Sequence, residues 1–129
     1  MRNKNHPRGE LSLRIVAMQA NSDPTGNVHQ EWTMYLMDQA AIVAARARAK
    51  GRVETAAVSG PTFLQKVKVG DVVCIYTRIM KVGCTSITVA VEVYALRHDL
   101  QERIWVTAAE FVAVAVDDDG LPRALSVAA

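Results

Sequence analysis

GNVHQEWTMYLMDQAAIVAARARAKG, residues 26–51, decides how the rest of the chain is arranged. It follows ANSDPTGN (20–27), where Asp, Pro, Gly and Asn mark a loop. From about Val28 or His29 to Lys50, the residues Trp32, Tyr35, Leu36, Gln39, Ile42, Val43 and Arg46 recur at steps of three and four. That period predicts one helix burying a mostly apolar stripe. Arg46, Arg48 and Lys50 suit the negative end of its dipole, and Gly51 is expected to take a left-handed cap. Asp38 is out of place: a carboxylate among Met34, Leu36, Met37, Ala41 and Ile42.

Outside the helix the period is two. LSLRIVAM (11–18) precedes it as a strand, and RVETAAVSG (52–60) follows it. PTFLQKVKVGD (61–71) reads as a lead-in with a turn at Gly70–Asp71. Three long runs then follow: VVCIYTRIMKV (72–82), TSITVAVEVYALR (85–97) and RIWVTAAEFVAVAV (103–116). Ile87, Val89, Val91 and Val93 share one strand face, whereas Ser86, Thr88, Glu92 and Tyr94 share the other, which predicts an antiparallel sheet covered on one side. The expected class is α+β: one central helix against a long, curved, five-stranded antiparallel sheet. One helix covers only part of such a sheet, so a second copy is expected across a two-fold axis, with any cleft near a subunit boundary.

Bulk composition agrees with a globular fold. The 129 residues suit one domain, here 1–129, with a polar N-terminal tail (1–10) and a short C-terminal tail (121–129). Half the residues are hydrophobic and 22% are charged. Fifteen Lys and Arg against 13 Asp and Glu give a net charge of +2, which argues against a nucleic-acid surface. No run has the length of a membrane span or a signal peptide. Cys74 and Cys84 lack metal-motif spacing; they read as packed thiols and fit a reducing cytoplasm.

The ordered motifs resemble a known family. Gly26-Asn27-Val28 with Trp32, Met34, Met37 and Asp38, then GRVETAAV (51–58), Phe63, VGDVVCIY (69–76), KVGCTSITVAVEV (81–93), Val106-Thr107 and VAVDDDG (114–120) look like the hotdog-fold acyl-CoA thioesterases of the YciA type. The resemblance spans about residues 11–120. It implies a hotdog fold, an acyl-CoA substrate, active sites between subunits of a dimer-based oligomer (tetramer or hexamer), and Asp38 as the catalytic carboxylate. No cofactor is expected, since coenzyme A enters as part of the substrate, and no metal, nucleic-acid or membrane partner.

The chemistry can be stated from the residues. A carboxylate in an apolar setting is costly unless paired, and in a cleft that cost makes it a stronger base. Asp38 could act on water as a general base or attack the thioester carbonyl directly. The free amides of the helix's first turn, at Gln30 and Glu31, could meet the oxyanion. Eight residues separate Asp38 from Gln30, about 12 Å of helix, so the two parts must combine across an interface. Substrate contacts are expected at His29 and Thr62, and for the coenzyme A phosphates at Arg78, Lys81 and the Gly83 turn.

The family's aromatic-Gly-Gly at the helix start is replaced here by His29, Gln30 and Glu31. Thr62 stands for an Asn, Ser59 for a residue often acidic, and Cys84 for a basic one. Two alternatives therefore stay open: a non-catalytic or divergent acyl-CoA-binding homologue, and a 3-hydroxyacyl thioester dehydratase using His29 with Asp38 or Glu31. Glu110, on a face shared with Ile104, Val106, Val112, Val114 and Val116, reads as a partner for a basic residue of another subunit, or as a second catalytic carboxylate.

Overall fold

The computed structural model describes residues 6–126. Strand β1 (Glu10–Val16) leads through a 3-10 turn (Gln19–Asn21) to helix α1 (Gln30–Ala49). β2 (Val53–Ser59), β3 (Val72–Val82), β4 (Ser86–Arg97) and β5 (Glu102–Ala115) follow. They form one sheet in the order β1-β3-β4-β5-β2, every neighbour antiparallel. α1 packs against all five strands, so this is the α+β hotdog arrangement that the element order implied.

The core lies between α1 and one sheet face. Val73 and Ile75 of β3 and Ile87, Val89, Val91 and Val93 of β4 are fully buried there, as alternation predicted. The helix presents Thr33, Leu36, Met37, Ala40, Ala41, Ala45 and Ala49 to them. That stripe differs from the expected one: Tyr35 is 60% exposed, Val43 63%, and Gln39 donates to the Tyr35 hydroxyl on the open flank. The cause is size. Alanines carry little weight in a hydrophobic pattern, yet they let a helix lie close to a wall of branched side chains.

The helix end also differs. Lys50, not Gly51, adopts the left-handed conformation (φ 54°), and its amide donates to Arg46 O. Gly51 is needed for space. A Cβ there would lie 2.7 Å from Arg123 Nη2, and Arg123 donates to Ala49 O (3.0 Å) and Val116 O (3.1 Å). Arg123 thus supplies the cationic cap from outside the helix.

The second sheet face is partly covered too. Glu92 and Tyr94 are buried there, with the Arg8 amide donating to Glu92 Oε1 (2.9 Å) and Tyr94 packed between Tyr76 and Trp105. Near the other terminus Leu125 is buried and its amide donates to Cys84 O. In their described parts, the segments expected as tails therefore pack on the domain; residues 1–5 and 127–129 lie outside the described residues. Cys74 is a buried thiol as read, but Cys84 is exposed.

β5 carries a bulge: Tyr94 pairs with Trp105 and Val93 with Thr107, leaving Val106 extra. The side-chain alternation flips there. Ile104 and Val106 turn toward the helix with Ala109, Phe111, Ala113 and Ala115, while Glu110 lies exposed on the outer face. Glu110 therefore does not share a face with Ile104 and Val106.

Replacing Lys50→Gly should raise the unfolding free energy by up to about 1 kcal/mol by removing a left-handed lysine. Gly51→Ala should change it by less than about 0.5 kcal/mol, because the bond lost when the end of Arg123 moves aside is offset by the lower unfolded-state entropy of alanine. Urea unfolding of both variants checks the assignment of the cap.

Candidate active site

The helix start is built by short-range hydrogen bonds. Asp23 Oδ1 accepts from the Thr25 amide (2.9 Å), the Thr25 hydroxyl (2.7 Å) and the Asn27 amide (3.1 Å), closing a tight loop around Gly26 (φ 88°). The Thr25 hydroxyl is the main reason the Asp23 carboxyl sits below its ordinary range; the two amides and nearby His29 add to it against the opposing effect of desolvation. Val28 N donates to Val67 O (2.8 Å) and His29 N to Asn21 O (2.9 Å), so the chain enters α1 from a fixed direction.

His29 is the N-cap in an extended conformation, but its side chain makes no capping bond. Its carbonyl accepts from Trp32 N (3.1 Å). The amides of Gln30 and Glu31 have no acceptor among the described residues, as the first turn of a helix requires unless something outside supplies one. They border a cavity of about 200 Å³ whose apolar wall is Val28, Phe63 and Val67 and whose polar rim includes Asp23, His29, Glu31 and Lys66. A second hollow of about 500 Å³ shares Asn27, Gln30, Phe63 and Lys66 with it and extends to Lys68 and Arg97.

Asp38 does not line this cavity. It is half-buried on the flank of α1 next to the buried Met37 and Ala41, and faces the edge strand rather than the apolar core. Its Oδ1 accepts from Thr55 Oγ1 at 2.7 Å. Thr55 lies beside a bulge in β2, between Thr55 and Ala57, and only Val53 of that strand is buried. Asp38 is therefore not the isolated core carboxylate the sequence suggested. It is a hydrogen-bonded group at an open sheet edge, the place where a second chain would meet it.

The other expected contacts scatter. Thr62 is exposed beside Phe63, and its carbonyl accepts from the Thr107 hydroxyl (2.9 Å). Arg78 is on the outer sheet face, in register with Ala90, which is in turn opposite Glu110. These three border an outer hollow of about 490 Å³, and Arg78 Nε is buried without a hydrogen-bond partner. Lys81 is exposed at the end of β3, and Gly83 donates to Ser86 O (2.7 Å) in a turn where a Cβ would meet Ser86 Oγ at 2.8 Å. That turn adjoins the C-terminal end of α1, through Leu125 on Cys84 O and Arg123 on Ala49 O. One chain thus brings His29, Gln30 and Glu31 together but holds Lys81 and Gly83 about a helix length away, roughly 30 Å for 20 residues.

Sequence reasoning missed Thr55, Lys66 and Val67. Thr55 has a local signal, a hydroxyl in an otherwise apolar strand centre; Lys66 and Val67 have none, because only folding brings residues 63–68 to the helix start.

Known proteins resemble the chain along most of its length. The pattern of the thioesterase superfamily matches residues 25–101. The acyl-CoA thioester hydrolase YciA of Salmonella typhimurium is 44% identical over 126 residues, which are 95% of this chain and 95% of that protein. A hexameric thioesterase from Yersinia pestis is 44% identical with a TM-score of 0.91, over 95% of this chain and all of that one. A hexameric broad specificity acyl-coenzyme A thioesterase, solved with an aspartate changed to alanine, is 37% identical with a TM-score of 0.89, over 93% of this chain and 88% of that one.

The Asp23 loop gives a pH test. A carboxyl whose folded pKa is depressed contributes stability above its unfolded value, near 3.9, and loses it as pH falls through the folded value. Asp23→Asn should therefore be less stable than wild type by a constant amount above about pH 5, with the gap closing in acid. Thermal unfolding of the two proteins across pH 2–7 measures it.

Proposed function

The chain belongs to the thioesterase superfamily, and from that premise we propose that it hydrolyses acyl-CoA thioesters to free coenzyme A and a carboxylic acid. The observation that carries this reading is the pairing, on one helix, of unpartnered first-turn amides beside a cavity with a carboxylate set at an open sheet edge.

In this reading Asp38 takes a proton from water while the water oxygen bonds to the thioester carbonyl carbon. In the nucleophilic variant the carboxylate bonds to that carbon first, and water then opens the mixed anhydride. Either way the carbonyl oxygen becomes negative, and the amides of Gln30 and Glu31 donate to it with the helix dipole behind them. The C–S bond breaks, and the coenzyme A thiolate leaves and takes up a proton. No cofactor is needed.

The 12 Å or so between Asp38 and Gln30 along the axis makes the site composite, Asp38 from one subunit and the amides from another. The division of His29 from Lys81 and Gly83 within one chain supports the same arrangement for the two ends of the substrate. The open β1 and β2 edges and exposed Met34, Tyr35 and Val43 support self-association, and the hexameric solved relatives support a hexamer of paired subunits. No described helix is long and apolar enough to cross a membrane. The unpaired Cys74 and Cys84 fit a reducing compartment, and the cytoplasm is our assignment.

One observation favours a second reading. The Gln30 and Glu31 side chains border the cavity, and the Glu31 charge opposes an oxyanion there, as a non-catalytic acyl-CoA-binding homologue would tolerate.

Free-thiol release from short to long acyl-CoA thioesters separates the two. The hydrolase reading predicts turnover that falls by about 10²–10⁴-fold in Asp38→Asn with the oligomer intact. Coenzyme A binding without thiol release from any thioester would favour the second reading.

A further inference from the structure

We propose that the half-buried Arg97, paired with the buried Asp71, is the positioning device of the helix-start site, holding the amides of Gln30 and Glu31 in place from the far end of β4. The inference rests on the functional reading above for its kinetic consequence, but its structural part does not.

Asp71 is only 2% exposed. Its carboxylate accepts Arg97 Nε on Oδ1 (2.9 Å) and Arg97 Nη2 on Oδ2 (2.8 Å), and Oδ2 also accepts the Lys68 amide (2.9 Å). Arg97 Nη2 donates in addition to Lys66 O (3.0 Å). The guanidinium holds residue 66 and the carboxylate holds residue 68, so Val67 between them is anchored on both sides. Its side chain is 3% exposed, and its carbonyl is the acceptor for Val28 N. Asn27 bridges Lys68, and Val69 N donates to Gly26 O (3.1 Å). Residues 26–28, which deliver the chain to the N-cap His29, are therefore laid against a segment whose own position is set by Arg97 and Asp71. The same segment carries Lys66 and Val67 into the cavity.

The choice of residues fits positioning better than stability. A buried ion pair seldom outperforms apolar residues of equal volume in free energy. A planar fork that engages one carboxylate through two nitrogens, and a carbonyl through one of them, does fix geometry, and lysine cannot reproduce it.

The test compares wild type, Arg97→Lys, Arg97→Met and a core truncation that costs a similar amount of stability, Ile87→Ala, as intact oligomers. Hydrogen exchange of the 22–30 and 63–70 segments, read by mass spectrometry, should speed up at least tenfold in Arg97→Met and less in Arg97→Lys. Exchange of the α1 centre around Met37 and Ala41 should stay as in wild type. With an acyl-CoA thioester, kcat should fall at least tenfold in Arg97→Met and KM should change little, because the displaced donors act on the transition state. Unchanged exchange in the two segments, or a kcat loss no larger than that of Ile87→Ala, would overturn the proposal. A wild type that releases no thiol would instead overturn the hydrolase reading, with the exchange measurement still deciding whether the pair positions the helix start.

Discussion

The close approach of α1 to the sheet is the constraint on which the remaining structure depends. Ala40, Ala41, Ala45 and Ala49 place almost no bulk between the helix and the valines and isoleucines of β3 and β4. Dispersion and burial both favour that spacing, and an added methylene on this face would force the layers apart. With this face committed inward, the flank carrying Asp38 points to the edge strand β2, and Gln30 and Glu31 are left exposed at the helix start. Neither position is chosen by the functional groups themselves. Both follow from which residues are small.

Much of the fold was legible in the chain. The change of period at Gly51 separated the helix from the strands, and the runs ending in β3, β4 and β5 fell within one or two residues of their observed limits. What failed was phase. The helix stripe was read from its largest apolar residues, so Tyr35 and Val43 were expected inside and the alanines were overlooked. The β5 alternation was read straight through, but one extra residue at Val106 sends Glu110 to the opposite face. At the helix end glycine was given the left-handed position by habit of residue type, whereas Lys50 accepts that strain and Gly51 makes room for a distant arginine. Each failure comes from a long-range packing demand overriding a local preference.

The site divides in the same way. Asp38 and the first-turn amides of α1 could be placed from sequence because one helix carries both. The walls of the cavity could not, since Lys66 and Val67 reach it through the loop that Asp71 and Arg97 secure, and Phe63 through the bonds its two neighbours make to β5. Thr55, which turns Asp38 from an isolated charge into a hydrogen-bonded one, also belongs to another element. Of the expected substrate residues, His29 borders the cavity at the helix start, whereas Lys81 and Gly83 lie toward the other end of the helix.

The central claim is that each site takes its carboxylate and its oxyanion donors from different subunits. Gln30→Pro removes one amide at a helix position that accepts proline, and His29 already has the extended conformation that proline requires before it. Oligomers reassembled from inactive Asp38→Asn chains and inactive Gln30→Pro chains would then contain some sites with both groups intact. Thiol release recovering in the mixture, toward half of wild type in mixed dimers, is the predicted result. Mixed oligomers as inactive as either parent would contradict the account.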